Sequence, residues 1–177
     1  MNLLFTAKST VFPGRTLLVK LVDPKRCNTG VHSTLAEEGF APLLYGTAHV
    51  AGAPSAIVME YLSEYSGWTT LHNCLRKHPN IMVDTTHPQL AKLLKLMKEK
   101  KIVHGDLRPN NIMCRVRQEL EIKVIDFDWS GDLGVAKYPE VMNPTIPWPG
   151  RSRELIGESH DEALLTNTLE RLRINSC

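Results

Sequence analysis

The segment 88–128 constrains the fold of this 177-residue chain more than any other, because polar residues lie at fixed spacings around a predicted helix and a predicted hairpin. Leucines recurring at i, i+3 and i+4 predict an amphipathic helix over 88–101. Asp106 follows this helix, Asn111 lies five residues further along, and Asp126 follows the hairpin. Because such loops can converge, we expect two acids and an amide at one point.

This set of side chains suits phosphoryl transfer. One carboxylate can orient an attacking hydroxyl and accept its proton. A second carboxylate and an amide oxygen can hold Mg²⁺, which keeps most of its coordination for water and phosphate oxygens. Two protein oxygens are therefore enough for the metal.

The first part of the chain predicts mostly strands. Short apolar runs bounded by turn residues predict strands, and a weaker period near i, i+4 ending at a glycine predicts one short helix. The predicted strands are 3–7, 16–22, 42–45 and 56–62, and the helix is 28–38.

The second part predicts mostly helices. Besides the helix over 88–101, we expect one over 70–77 and one opened by the capping box at 159–162. The hairpin combines strands at 111–116 and 121–127, and four prolines predict irregular chain over 138–150. Strands followed by helices indicate an α+β fold with two sub-lobes.

Composition excludes some classes of protein. An apolar fraction of 42% is enough for a packed core, and 21 basic against 19 acidic residues leave a charge of +2. That balance favours neither nucleic acid nor an acidic surface as partner. Four scattered cysteines without a C-x-x-C pair fit a reducing compartment, so we expect a cytoplasmic or nuclear protein. We also expect neither a leader peptide nor a membrane partner. No apolar run is long enough to span a bilayer.

Two motifs resemble those of the protein-kinase-like superfamily. The run HGDLRPNN at 104–111 resembles its catalytic loop, and DFD at 126–128 resembles its metal-binding tripeptide. The resemblance implies that Asp106 is the catalytic base and that Asn111 and Asp126 are the Mg²⁺ ligands. It also places Arg108 towards the γ-phosphate, where its positive charge would offset the developing negative charge.

Two further positions extend the resemblance into the first part of the chain. Lys20, in the run LVK, is similar to the third-strand lysine that contacts the α- and β-phosphates of ATP. The run VMEYL at 58–62 resembles the hinge. By resemblance Met59 is the gatekeeper, and the backbone of Glu60 and Leu62 contacts adenine.

The resemblance implies a minimal, truncated bilobal kinase-like fold, α+β in class, in one domain over 1–177. A small β-rich N-lobe with the hinge is expected at about 1–62 and a reduced helical C-lobe at about 63–177. Only nineteen residues precede Lys20, and they hold one glycine, so no G-x-G-x-x-G loop covers the phosphates. We therefore expect weak ATP binding.

Other positions depart from the family pattern. Glu37 and Glu38, at the end of the predicted helix 28–38, are the acids offered as partners for Lys20, with Glu37 preferred. Gly105 replaces an arginine that pairs with an activation-loop phosphate, and Asp128 replaces a glycine. Asp128 could be a further metal ligand or a source of repulsion.

The leading hypothesis is an ATP- and Mg²⁺-dependent kinase acting on serine or threonine hydroxyls of a protein substrate. One alternative is a small-molecule kinase acting on a small hydroxyl compound, because aminoglycoside and choline phosphotransferases also use H-G-D and D-F-[DE] motifs. The other is a pseudokinase or scaffold that lacks turnover. A finer resemblance, carried by the segments IDFDW and YP…NP…WP, is to fungal kinase-like proteins. The oligomeric state stays open.

Overall fold

A computed structural model describes residues 3–11, 13–23, 29–49, 53–78 and 83–174. Its first part is a four-stranded antiparallel sheet in the order β1-β2-β4-β3. The strands are β1 (Leu3–Lys8), β2 (Thr16–Val22), β3 (Leu44–Ala48) and β4 (Ser55–Glu60). The predicted N-terminal hairpin is confirmed, since β1 pairs with β2 from Leu3–Leu21 to Lys8–Thr16.

The two central strands build the floor of the small sheet. Side chains alternate along β4, so that Ile57 and Met59 are buried and meet Val22 of β2 in a small core. Lys20 lies opposite Ile57 in the register of β2 and β4 and is only 8% exposed. A lysine this buried requires charged partners nearby.

One helix, α1 (Thr29–Glu37), lies between β2 and β3 along the chain. It buries Val31 and Leu35 in the main hydrophobic core and ends before Gly39, which has a φ of +82°. The prediction of a short helix at 28–38 that stops at a glycine is confirmed for the residues that the structure describes.

The second part is mainly helical. It contains α2 (Leu71–Lys77), α3 (Pro88–Glu99) and α4 (His160–Ile174). The main core joins α1, α3 and α4 through Leu35, Leu93 and Leu165, each of them fully buried. All three predicted helices of this part are present, and α3 begins at Pro88, a residue suited to a first helical turn.

The described residues of this part also contain five short strands. They are β5 (Thr69–Thr70), β6 (Ile102–Val103), β7 (Ile112–Val116), β8 (Leu120–Val124) and β9 (Gly131–Asp132). β7 and β8 form the predicted hairpin, β5 pairs with β7, and β6 pairs with β9. The two-residue strands were not predicted from sequence, because two residues carry no periodicity.

β8 ends earlier than predicted, at Val124 instead of residue 127. Asp126 has a φ of 68°, a left-handed conformation that no extended strand accommodates. The proline-rich segment 138–150 is irregular, as expected, and contains neither helix nor strand. Its Tyr138 and Trp148 pack with Trp129 at ring distances of 5.0–6.3 Å.

The architecture is therefore the predicted α+β arrangement, with a small β-rich lobe followed by a lobe of few helices. No helix in the described ranges is both long and apolar enough to cross a membrane.

Candidate active site

A cleft of about 240 Å³ is lined by residues from both lobes. Six residues singled out from the sequence line it. They are Lys20, Met59, Glu60, Leu62, Asn111 and Asp126. The convergence of these side chains, which lie up to 106 positions apart, is produced by the fold and not by any local motif.

Lys20 is held by two carboxylates of the 126–128 segment. Its Nζ lies 2.5 Å from Oδ1 of Asp126 and 2.6 Å from Oδ1 of Asp128. Burial acts to lower the pKa of Lys20, but the two aspartates outweigh it and the pKa lies above its ordinary value. Glu37 is exposed at the end of α1, so the preference for Glu37 as the partner of Lys20 was wrong.

Helix α1 faces this lysine with a histidine instead of an acid. His32 is buried, lines the same cleft as Lys20, and its Nε2 lies 2.8 Å from the Pro42 carbonyl. Its ring stacks on Phe127 at 4.6 Å. Burial, together with the nearby Lys20 charge, lowers the pKa of His32, although the Pro42 carbonyl opposes this shift. The other acid, Glu38, pairs with Lys100 on the surface at 3.5 Å.

The left-handed backbone at Asp126 turns the chain sharply between strand and site. Asparagine and aspartate tolerate this region better than other residues with a Cβ. The turn places Phe127 in the core, 3% exposed, between the two aspartates. The side chain of Asp128 is 19% exposed and that of Asp126 43% exposed. Asp128 is therefore the more protected partner of Lys20.

Asp106 is fixed by two residues of its own loop. The Arg108 guanidinium binds it with both arms, Nε donating to Oδ1 and Nη2 donating to Oδ2 at 2.8 Å. Asn111 Nδ2 donates to Oδ2 at 2.9 Å and to the Asp106 carbonyl at 2.9 Å. Arg108 also lies 5.4 Å above the Trp148 ring. The structure thus places Arg108 on Asp106, whereas resemblance had placed it towards the phosphates.

His104 braces the same loop from within. It is fully buried, its Nδ1 accepts from the Asp106 amide at 3.3 Å, and its Nε2 lies 3.2 Å from the Ile125 carbonyl. Its ring meets Phe127 edge to face at 5.3 Å. These contacts link the loop of Asp106 to the segment of Asp126.

Asp161 supports the loop of Asp106, a role that was not predicted from the sequence. It lies in the first turn of α4, and its carboxylate accepts from the amides of His104 at 2.7 Å and Gly105 at 2.8 Å. Burial raises its pKa, while His104 and the backbone donors, including that of Leu107, act in the opposite direction. An acid in a first helical turn is ordinarily explained by the helix dipole, so the sequence held no signal for this role.

Gly105 is required by a close approach and by its backbone conformation. Its φ is +81°, and a Cβ there would lie 2.7 Å from Cδ1 of Ile156 and 3.1 Å from Cβ of Trp129. A larger side chain at this position would therefore have to displace Ile156.

Asn111 and Asp126 are suitable donors for a magnesium ion. Both line the cleft, Asp126 offers a carboxylate, and Asn111 uses its Nδ2 on Asp106, which leaves Oδ1 as its ligand atom. No group of three or more His, Cys, Asp and Glu side chains able to hold a metal occurs among the described residues. The donor set accordingly fits a metal that takes its remaining ligands from phosphate and water.

The hinge residues also line this cleft. Met59 is 7% exposed, and the Glu60 amide donates to the Leu43 carbonyl at 2.8 Å. The Glu60 carboxylate accepts from Lys123 Nζ at 2.5 Å, which ties the hinge to β8. Because the Glu60 amide is already bonded to Leu43, it is not the group of Glu60 that would contact a ligand.

Comparison with known proteins assigns the family. The sequence model of the protein kinase domain matches residues 46–160, more than half of the chain. The chain belongs to the protein kinase family. The matched segment includes the hinge residues, the loop of Asp106 and the segment of Asp126.

Individual kinases are similar over shorter stretches. An Aurora kinase of Candida albicans is 34% identical over 74 residues, which are 42% of this chain and 13% of that protein. An Aurora kinase of Patiria pectinifera is 32% identical over 74 residues, 42% of this chain and 17% of that protein. The chain thus matches only a small part of these relatives. The resemblance to fungal kinase-like proteins stays a prediction, since the two relatives are almost equally similar.

A solved viral kinase shares the fold. The Cydia pomonella granulovirus kinase PK-1 superposes on this chain with a TM-score of 0.57 at 18% sequence identity. The superposition covers 80% of this chain and 54% of the viral kinase. At this identity the similarity shows the fold alone. It confirms the predicted kinase-like fold, with a small β-sheet lobe and a second lobe of few helices.

Proposed function

We propose that this kinase-family chain is an ATP- and Mg²⁺-dependent phosphotransferase that acts on serine or threonine hydroxyls of protein substrates. One observation carries the proposal: Lys20, Asn111 and Asp126 line a single cleft, and Asn111 is hydrogen-bonded to Asp106. A base, two metal-binding oxygens and a phosphate-binding cation are the parts that phosphoryl transfer requires.

Asp106 is the proposed base, which orients the attacking hydroxyl and accepts its proton. Arg108 and Asn111 already fix its carboxylate, so little reorganisation is needed before reaction. The guanidinium of Arg108 also places a positive charge beside the reacting groups, where negative charge develops.

The cleft residues are proposed to hold the nucleotide. When bound, ATP and Mg²⁺ supply the phosphoryl group and the cation that neutralises it. Asn111 and Asp126 would hold the metal, and Met59, Glu60 and Leu62 would surround adenine. Lys20 has three N–H donors and uses two on aspartates, so a third can donate to a phosphate oxygen.

Thermal unfolding with ATP tests the nucleotide part of the proposal. A ligand that binds only the folded state raises stability, by about 2.7 kcal/mol at a hundred times its Kd. We expect ATP with Mg²⁺ to raise the Tm of the wild type, and to raise that of Lys20→Met or Asp126→Asn much less. Lys95→Met, which changes an exposed lysine of α3, is the matched control. An equal rise in Tm in all four proteins would show that Lys20 and Asp126 do not bind the nucleotide. Transfer of labelled phosphate, lost in Asp106→Asn, tests the reaction itself.

A second candidate is a non-catalytic scaffold that binds nucleotide or partner without turnover. The observation in its favour is that the proposed base and one proposed metal ligand are both paired with cations, Asp106 with Arg108 and Asp126 with Lys20. Raised thermal stability with ATP but no transfer would select this candidate.

A small-molecule phosphotransferase is the remaining alternative, favoured by Gly105 and Asp128 of the H-G-D and D-F-D motifs. Both residues also have structural contacts, Gly105 beside Ile156 and Asp128 with Lys20. The cytoplasmic or nuclear location stays a prediction from the cysteine pattern.

A further inference from the structure

A second cleft, of about 170 Å³, adjoins the loop of Asp106. None of the described residues that line it also lines the first cleft, the one of about 240 Å³ that is proposed to hold the nucleotide. Arg108, Pro109 and Asn110 form its side on the loop, and Arg108 is the residue that binds the Asp106 carboxylate. A molecule seated in this second cleft therefore lies beside the proposed base.

Three other segments also line the second cleft. α2 contributes His72, α4 contributes Arg171, and the irregular proline-rich segment contributes Ile146 and Pro147. The proline-rich segment is fixed at this point, because Arg171 Nη1 donates to the Thr145 carbonyl at 3.1 Å and Trp148 Nε1 donates to the Asn143 carbonyl at 2.8 Å. Hydrogen bonds thus fix the part of the proline-rich segment that lines the cleft, and the lining combines apolar and polar side chains.

The charge of this second cleft has one sign. Arg108, Arg171 and His72 are its ionisable residues, and none of the described residues that line it is acidic. The charge of Arg108 is balanced by Asp106, whereas the bond of Arg171 to Thr145 is made to a neutral carbonyl. Arg171 accordingly presents a cation to whatever the cleft binds, and a guanidinium fork can bind a carboxylate through two parallel hydrogen bonds.

We propose that the second cleft binds the protein substrate beside its phosphoacceptor hydroxyl and selects a segment with an acidic side chain, which pairs with Arg171. This inference rests on the proposed function, since it gives the substrate class for the same site. Ile146, Pro147 and Leu172 offer apolar surface to the rest of the segment, and the aspartate or glutamate supplies selectivity through charge.

Peptide binding tests the selectivity without requiring turnover. Two fluorescent peptides of equal length carry one serine, flanked by glutamates in one and by lysines in the other, and anisotropy gives their Kd. We expect the acidic peptide to bind the wild type about tenfold more tightly or better, the effect of a charged hydrogen bond. Added salt should reduce the difference. Equal affinities, or no binding of either peptide, would overturn the proposal.

Charge reversal identifies the residue. We expect Arg171→Glu to weaken binding of the acidic peptide and strengthen binding of the lysine peptide, and Arg171→Lys to keep the acidic preference. Arg117→Glu, the same change on the exposed turn between β7 and β8, should leave both affinities unchanged. If Arg171→Glu behaves like Arg117→Glu, the assignment is wrong. Because Arg171→Glu also loses the bond to Thr145, the exchange of preference, and not the loss alone, is the decisive result.

Two further outcomes separate this inference from the proposed function. If the acidic peptide binds more tightly but phosphate is transferred to neither peptide, the proposed phosphotransferase activity is contradicted and the proposed selectivity of the second cleft is supported. If phosphate is transferred to both peptides at equal rates, the proposed acidic selectivity is contradicted and the proposed phosphotransferase activity is supported.

Discussion

Lys20 and Asp128 form an ion pair of 2.6 Å between the small sheet and the segment that follows the β7–β8 hairpin. The lysine side chain is 10% exposed and the aspartate side chain 19% exposed, so solvent screens the pair little. Asp128 stands where the family pattern has glycine. The structure therefore gives this departure a role, since α1 brings no acid to Lys20.

Removing the Asp128 charge should weaken the folded state. We expect Asp128→Asn to lower the free energy of unfolding by about 1–2 kcal/mol, because Asp126 is then the one charged partner of Lys20 among the residues that the structure describes. Urea unfolding measures the difference. Asp132→Asn, an exposed aspartate of β9, is the matched control and should change stability little. A stability of Asp128→Asn equal to that of the control would show that the pair contributes nothing.

A side chain at Gly105 should destabilise the fold. A Cβ there would lie 2.7 Å from Cδ1 of Ile156 and 3.1 Å from Cβ of Trp129, and it would also carry the cost of a positive φ. We expect Gly105→Ala to cost about 2–3 kcal/mol. Gly134 has a φ of +83° and nothing within 4 Å of an added Cβ, so its substitution by alanine measures the cost of the positive φ alone. Gly134→Ala should cost about 1 kcal/mol. Equal losses of Tm in the two variants would contradict the packing argument.

Asp161 should be needed for the shape of the Asp106 loop. Asn in its place offers one acceptor oxygen, so one of the His104 and Gly105 amides loses its partner and faces an N–H group. We expect Asp161→Asn to cost about 2–4 kcal/mol. Glu162→Gln, at the exposed neighbouring position, should stay within about 0.5 kcal/mol of the wild type. An Asp161→Asn protein as stable as Glu162→Gln would argue against this support.

His32 should make stability depend on pH on the acidic side. Its pKa in the folded chain lies below the ordinary 6.5, so as the pH falls below 6.5 the unfolded chain binds a proton that the folded chain does not. The contribution of His32 is thus complete above that pH and is lost below it. We expect the Tm difference between about pH 7.5 and about pH 5.5 to be larger in the wild type than in His32→Gln. Equal differences would mean that His32 does not carry the effect.

The sequence predicted the residues of the site better than their contacts. Motif spacing was enough to select Asp106, Asn111 and Asp126, because loop lengths around a helix and a hairpin restrict where such residues can lie. Lys20 was selected by resemblance, but its partner was not, since the choice between Glu37 and Asp128 depends on how α1 faces the cleft. That orientation is decided by packing of Val31 and Leu35 in the core.

Long-range support escaped sequence reasoning for a similar reason. Asp161 lies 57 positions from His104, and only the closure of α4 onto the loop brings them together. The two-residue strands β5, β6 and β9 were missed because they are defined by their partners and not by any pattern of their own. The longer elements were predicted, since apolar periodicity within one segment decides which face is buried.

We propose that this kinase-family chain transfers phosphate with Asp106 as its base. The most direct measurement is transfer of label from γ-labelled ATP, with Mg²⁺, to a serine-containing protein by the wild type and by Asp106→Asn. Loss of general-base catalysis costs about 10²–10⁴-fold in rate. We expect transfer by the wild type and a loss of that size in Asp106→Asn, with Asp132→Asn unaffected. No transfer by the wild type, or equal transfer by wild type and Asp106→Asn, would contradict the claim.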